Sequence, residues 1–382
     1  MKPPQQPILG IDASRVSTAR AGIDNYVHHL LPGLVRAWRA QGGEVVVFSA
    51  NPAVAAHVEP PVRVLHGGGR GWTQGRLPGA ARRAALDVYF SPIPVLPVLL
   101  PMPCASVVTV QDLLEFRPRW WYFRRLIGRA LQRSTAVVCI SQATEQEVAA
   151  EFPEAAAKLI VVRLAADPEV FHEGAPEQLD ADREAGRGLL ARLGVMEAPI
   201  LAVGTLQPRK NYARLIEAYA RVSSTDVAPP PLLIVGQRGW DYEGIVALPR
   251  QLGIGDRVIF GGHLDDAEVA QLMRASMILA AVSTGEGFGL PVVEAMYSGL
   301  ALLASDIPPF REVAGAAALF VNPLSVDDIA AGLSQLVSDP QRRQALVEVG
   351  RARRSLFSWD RASAEIAAAL RRAVPATAPR RP

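Results

Sequence analysis

Short apolar runs alternate with amphipathic stretches along most of this chain, and the alternation stops once and then begins again. Runs at residues 8–11, 45–48, 62–65, 88–90, 106–110, 136–140 and 159–162 have the length and composition of buried strands. Between them lie helical patterns at 23–40, near 76–86, and from the Ser141 cap to Phe152. Pro168, Pro176 and several acidic residues then interrupt the pattern. It restarts with runs at 200–204, 232–236, 258–260, 277–281, 300–304 and 318–321. Strands that alternate with helices build a parallel sheet covered on both faces. The expected class is therefore α/β, with two Rossmann-like doubly wound domains facing across a cleft. The expected boundaries are 1–175 for the first domain, 176–197 for a linker ending in a short helix at 187–193, and 198–356 for the second. With 382 residues, 49% of them hydrophobic, the chain is long enough to bury two cores. Open α/β sheets bind ligands at the loops beyond their carboxyl ends, so the chemistry is expected there.

The most informative loop spans residues 283–306, STGEGFGLPVVEAMYSGLALLASD. Gly285, Gly287 and Gly289 alternate, which lets the backbone approach a ligand without Cβ obstruction. Pro291 suits the first turn of a helix expected at 292–298, ended by Gly299 and followed by a buried strand. Backbone N–H groups of Phe288, Gly289 and Leu290 then stand at a helix N-terminus, a natural seat for phosphate. Glu286 on the loop and Glu294, expected in the first helical turn, flank that seat. A carboxylate beside phosphate is repelled by it, so these two are expected to accept hydrogen bonds from neutral hydroxyls. Phosphate and sugar hydroxyls together describe a nucleotide-sugar. After the strand at 200–204 comes TLQPRKN, in which Arg209 and Lys210 precede Asn211, expected as the N-cap of a helix at 212–222. Two cations there favour an anion and would stabilise a leaving diphosphate.

Glu286 and Glu294, with seven residues between them in EGFGLPVVEAM, resemble the E-x7-E signature of retaining GT-B glycosyltransferases, the group 1 or family 4 class. The resemblance covers nearly the whole chain and implies the GT-B architecture, with the last helix, 359–374, crossing back to complete the first domain. It implies that Glu286 contacts the transferred sugar, that Gly287, Phe288, Gly289 and Leu290 contact sugar and diphosphate, and that Glu294 holds the ribose. Arg209 and Lys210 would then lie on the diphosphate, in a segment similar to the family's GxxxPRKN. Many relatives place an Arg right after the Gly, where this chain has Thr205. VVTVQDLLEFRP resembles the family's TxHDL segment, with Gln111 where the usual His faces the sugar; Asp112 is expected to hold the turn. Gly22 matches the family's first glycine loop, next to Asp24 and Asn25. His263 and Leu264 occupy the nucleobase position, although an ordinary loop histidine fits equally well. In the front-face mechanism usual for the family, the leaving phosphate itself takes the acceptor proton. FGLPVVEAM followed by SDIPPFREV looks mannosyltransferase-like, of the kind that builds surface polysaccharide. That implies GDP-mannose, or otherwise a UDP-sugar, as donor and a glycan or polyprenyl-linked acceptor.

Residues 117–133 carry six Arg, Trp120, Trp121, Tyr122 and Phe123, and no acid. They suit either peripheral contact with a membrane headgroup layer or a domain helix with solvated arginines. Residues 88–110 hold no charge, but five prolines argue for a strand, a buried irregular loop and a second strand rather than a membrane span. No signal-peptide pattern opens the sequence, and Cys104 and Cys139 lie in apolar stretches, which suits the cytoplasm. The net charge of +3 is too small to ask for nucleic acid. Scattered His and Cys give no metal spacing, Asp180 and Asp182 form a D-x-D in a polar linker, and no cofactor motif appears, so neither metal nor cofactor is expected. Asp265–Asp266 and Asp327–Asp328 read as helix caps. Two other classes fit the same residues: a GT-B sugar-nucleotide epimerase, which would need a titrating group where Gln111 stands, and a non-catalytic nucleotide-sugar-binding partner.

Overall fold

A computed structural model describes residues 6–16, 22–114, 120–174, 179–223 and 229–375. The chain forms two compact units, residues 1–164 with 358–382, and residues 165–357. The first unit contains strands β1 (Ile8–Asp12), β2 (Glu44–Ser49), β3 (Arg63–His66), β4 (Val88–Ser91), β5 (Ala105–Val110), β6 (Ala136–Cys139) and β7 (Leu159–Val161). Their order is β3-β2-β1-β4-β5-β6-β7, with every pair parallel. Helices α1 (Ile23–Ala40), α2 (Leu77–Arg83), α3 (Trp120–Arg133) and α4 (Gln142–Glu151) connect them. Ser141 caps α4, its hydroxyl accepting from Thr144 N at 3.0 Å.

The expected helix near 76–86 is shorter than the pattern suggested. A π-helical turn, Trp72–Arg76, leads into α2, which ends at Arg83. The uncharged stretch between β4 and β5 is irregular as expected, but it is not all buried: Leu96 is covered, whereas Leu99 is 82% exposed. Arg133 Nη1 holds that loop by donating to Pro97 O and Val98 O at 2.8 and 2.7 Å.

In the second unit, the helix α5 (Leu179–Arg192) takes up most of the segment expected as a linker and packs on the helix Asp266–Ala275. It is longer than the helix expected at 187–193, and Asp180 and Asp182 fall within its span. Strands β8 (Ile200–Val203), β9 (Leu232–Val235), β10 (Val258–Gly262), β11 (Ile278–Ala281), β12 (Ala301–Ser305) and β13 (Ala318–Val321) follow in the parallel order β10-β9-β8-β11-β12-β13. Their helices are α6 (Tyr212–Ser223), α7 (Glu243–Gln251), α8 (Asp266–Ala275), α9 (Leu290–Tyr297), α10 (Pro308–Ala314), α11 (Val326–Ser338) and α12 (Pro340–Arg354). Strands covered on both faces need no polar alternation, and Ile200, Leu232, Leu233, Ile234, Ile278 and Leu279 are fully buried. Asp265 caps α8 in a reciprocal box with Glu268, and Ser325 rather than an aspartate caps α11.

The last helix, α13 (Trp359–Ala373), belongs to the first unit and lies on α1. Ser363 Oγ donates to Leu30 O at 3.3 Å, Arg36 Nη2 donates to Asp360 at 2.8 Å, and the Arg371 guanidinium sits 3.8 Å over the Trp38 ring. Ile366 and Leu370 of α13, which also packs on the first sheet, are fully buried. Deleting a buried aliphatic side chain removes its transfer energy and leaves a cavity. Ile366→Ala is therefore expected to cost about 2–4 kcal/mol of stability, read from the urea midpoint, despite its place near the end of the chain.

Candidate functional site

In both sheets the strand order reverses beside the first strand, and loops beyond the carboxyl ends of the two strands at such a point diverge to leave a crevice. In the second unit these strands are β8 and β11, which pair directly. Their loops carry most of the residues that the sequence singles out.

The β8 loop ends in a tight turn, Pro208–Lys210, followed by Asn211 in the left-handed region at φ 61°. Asn211 precedes α6, as the sequence suggested, and its carbonyl accepts from Leu215 N at 3.2 Å, but its side chain does not cap the helix. Its Nδ2 donates to Val282 O at 2.9 Å and to Pro323 O at 2.7 Å, while Oδ1 accepts from Arg214. The buried amide thus pins the turn to the loops after β11 and β13. Thr284 N donates to Arg209 O at 2.9 Å, a second tie between the same two loops.

These ties bring Arg209 and Lys210 onto Glu286. Arg209 Nη1 donates to Glu286 Oε2 at 2.6 Å and to Gly285 O at 2.8 Å, and Lys210 Nζ donates to Glu286 Oε1 at 2.8 Å. The Glu286 side chain is 9% exposed. The sequence suggested two cations open to an anion; instead each already holds an oxygen of the same carboxylate. Burial alone would push the Glu286 carboxyl up, but Lys210 and Arg209, with the Ser283 hydroxyl, outweigh it and hold the carboxyl at about 2.

Glu294 is the opposite case. The helix α9 begins at Leu290, so Glu294 lies in its second turn, not the first. It is buried, and among the described residues its carboxylate makes no hydrogen bond or ion pair. Burial pushes its carboxyl up to about 8, Asp266 adding to the rise and Lys210 opposing it. At neutral pH this group is a protonated acid that can both donate to and accept from a hydroxyl.

Gly289 precedes α9 at φ 101°, and a Cβ there would fall 2.5 Å from the Phe310 ring, so only glycine fits. The N–H groups of Phe288, Gly289 and Leu290 find no acceptor among the described residues. The Phe288 side chain is buried against Phe357 at 5.9 Å between ring centroids, so only its backbone faces the loop. The second unit therefore brings together two cations, one ionised and one neutral carboxyl, and a row of open N–H donors. That set can hold an anion next to neutral hydroxyls.

The remaining residues make none of these contacts with Glu286. Thr205 lies half-buried earlier in the β8 loop; His263, exposed, and Leu264 follow β10, two strands from β8. Gln111 and Gly22 belong to the first unit. Gln111 follows β5, and its buried Nε2 has no partner among the described residues. Gly22 precedes α1 at φ 55° and is exposed. Asp112 Oδ1 accepts from Leu114 N at 3.0 Å, holding the turn. Of the aromatic and arginine-rich stretch, residues 117–119 lie outside the described residues; within α3, Trp121 is 77% exposed, and Arg124, Arg125 and Arg129 are also exposed. The described residues contain no group of metal-ligating side chains and no helix long and apolar enough to cross a membrane. Asp266, read from the sequence only as part of a helix cap, raises Glu294. Tyr212, which the sequence did not mark, donates from its OH to Gly204 O at 2.9 Å and braces the β8 loop.

Two Rossmann-like units of this strand order, the second with its E-x7-E carboxyls beside the switch point, define the GT-B class. Solved structures agree. The Anabaena protein HepE in complex with UDP and glucose superimposes with a TM-score of 0.73 at 21% identity, covering 96% of this chain and 100% of that one. WaaG, a glycosyltransferase involved in lipopolysaccharide biosynthesis, gives 0.70 at 16% identity, covering 95% and 99%. The family Glycosyl transferases group 1 matches residues 193–353, and Glycosyltransferase Family 4 matches residues 21–170. The chain belongs to these GT-B glycosyltransferases. Relatives include O-antigen chain mannosyltransferase B of Escherichia coli, 27% identical over 64% of this chain and 63% of its own length. Another is the MMP alpha-(1->4)-mannosyltransferase of Mycolicibacterium hassiacum, 28% identical over 67% of this chain and 58% of its own. The matches thus span about three fifths of these two relatives.

Opposite pKa displacements give the two carboxyls opposite effects on stability. Glu294 favours the folded state below about 4.5, and that contribution is lost as pH rises towards 8. Glu286 stabilises above about 4.5 and loses its effect as pH falls towards 2. Glu294→Gln removes only the first effect. Its stability relative to the parent is expected to rise between pH 5 and 8, by on the order of several kcal/mol, in urea titrations across that range. Parallel profiles for the two proteins would contradict a buried, protonated Glu294.

Proposed function

We propose that the protein is a retaining glycosyltransferase that moves mannose from GDP-mannose to a hydroxyl of a glycan or lipid-linked oligosaccharide during surface-polysaccharide synthesis. The observation that carries this reading is the pair Arg209 and Lys210 closed on Glu286 beside the unpartnered, buried Glu294. The donor's diphosphate lies against the two cations and the N–H groups of residues 288–290. Its arrival competes with Glu286 for Arg209 and Lys210 and turns that carboxylate towards the sugar hydroxyls. Glu294 takes the ribose hydroxyls, which replace the partners it lacks. The bond from the sugar C1 to the phosphate oxygen breaks as the acceptor oxygen bonds to C1 on the same face. The acceptor proton passes to the leaving phosphate, and GDP departs. Charge grows on the diphosphate in this step, so the cations stabilise the transition state more than the bound donor, without a metal ion. Gln111 donates to a hydroxyl of the transferred sugar, Gly22 faces the diphosphate, and Thr205, His263 and Leu264 border the nucleotide. Support for the sugar comes from relatives named as mannosyltransferases. Support for a nucleotide-sugar comes from the HepE structure in complex with UDP-glucose.

Removing both cations would strand a buried charge and unfold the site, so Glu286→Gln is the cleaner test. It frees Arg209 and Lys210 while keeping the shape. GDP binding is expected to tighten several-fold and acceptor-dependent GDP release to fall by about a hundredfold or more. In a screen of GDP- and UDP-sugars, donor binding without turnover for the parent protein would favour a silent binding partner and overturn transfer.

The enzyme works at the cytoplasmic face of the cell membrane, held there peripherally. Trp121, Tyr122 and the exposed arginines of α3 give that helix an aromatic and cationic outer surface suited to anionic headgroups. Trp121→Ala is expected to reduce co-sedimentation with phosphatidylglycerol vesicles several-fold and to leave GDP affinity unchanged. Equal sedimentation of both proteins would remove α3 from the contact.

A further inference from the structure

Beyond the carboxyl ends of β1 and β3, the first unit holds a cavity of about 270 Å³. Its walls are Ser14, Arg15, residues 68–71, Trp72, Thr73 and Gln74. This volume lies near the small end of ligand cavities, too small for a nucleotide-sugar.

The chemistry of the walls is one-sided, because no carboxylate lines the cavity. Arg15 and Arg70 are exposed, and among the described residues neither forms an ion pair. The carboxylate at the end of β1 does not neutralise Arg15: Asp12 Oδ1 accepts from Ser14 N at 2.9 Å and Oδ2 accepts from Tyr89 OH at 2.5 Å. Trp72 is 5% exposed, and its indole Nε1 finds no acceptor among the described residues. Arg76 is committed to the loop itself, Nη2 donating to Gly68 O at 2.6 Å and to Arg70 O at 3.3 Å, with its guanidinium 6.0 Å from the Trp72 ring. The loop is thus fixed from behind by one arginine while two others stand uncommitted in front. Its backbone lies close to the β1 loop, since a Cβ on Gly68 would fall 3.1 Å from Ser14 O. Two free guanidinium forks and an orphaned indole donor form a site for a tetrahedral oxyanion.

We infer that this cavity binds a phosphate ester, carried by the acceptor substrate. The word acceptor rests on the transfer reading above; the anion site does not. A sugar phosphate in solution and the phosphate headgroup of a lipid present the same oxygens to Arg15 and Arg70. The full chain is first saturated with GDP, which fills the anion seat of the second unit, and is then titrated calorimetrically with mannose 1-phosphate. Binding is expected, weakened about tenfold or more in Arg15→Gln/Arg70→Gln, with the melting temperature and GDP affinity of that variant unchanged. In a second arm, flotation with phosphatidic acid vesicles compares the same two proteins. A response to the double substitution in the first arm assigns a free sugar phosphate, and one in the vesicle arm alone assigns a lipid phosphate. Equal behaviour of the two proteins in both arms overturns the site, as does mannose 1-phosphate binding that GDP abolishes. Failure of GDP itself to bind would count against the transferase reading, and the comparison between the two proteins would still report on this cavity.

Discussion

A carboxylate gripped by two cations at 2.6 and 2.8 Å is the contact on which the second unit's site depends. At 9% exposure Glu286 is poorly screened by water, so each ion pair is strong and neither partner can be lost cheaply. The cluster carries one net positive charge and so remains attractive to an anion. A pair of unpaired cations in the same place would repel each other and splay the two loops. Glu286 thus gives Arg209 and Lys210 the counter-charge that a diphosphate supplies in the proposed reaction.

The sheet decides where such a cluster can form. Because β8 and β11 are neighbours although far apart in sequence, residues 209 and 286 meet over the same sheet edge. Asn211 converts that proximity into fixed geometry, its one amide joined to two carbonyls on separate loops. Glu294 is placed by different means. The rigid start of α9, set by Gly289 against Phe310, carries it into the interior, where its proton rather than a partner makes burial tolerable.

Much of this was legible in the sequence because it rests on periodicity and glycine chemistry. The apolar runs located the strands, since a strand covered on both faces must be apolar throughout. The alternating glycines and Pro291 located the loop before α9, and the start of that helix, to within two residues. Pairing was not legible. That Arg209 and Lys210 close on Glu286 follows from two loops meeting in space, which no local pattern encodes. Asn211 looked like a cap because asparagine before a helix usually is one, but the left-handed backbone at that position turns its amide elsewhere. The acidic, proline-containing segment after residue 167 looked like a linker because polar residues dominate it, yet α5 needs only the apolar side of its last turns, around Leu189 and Leu190, to dock.

The placement of α13 has a consequence for biosynthesis. The first sheet is complete once β7 emerges from the ribosome, but α1 still lacks the helix that packs on Tyr26, His29 and Gly33. Nearly two hundred residues of another unit must be translated before that helix appears. A nascent chain therefore carries an open apolar groove through most of its elongation, and chaperone capture during synthesis should concentrate on α1.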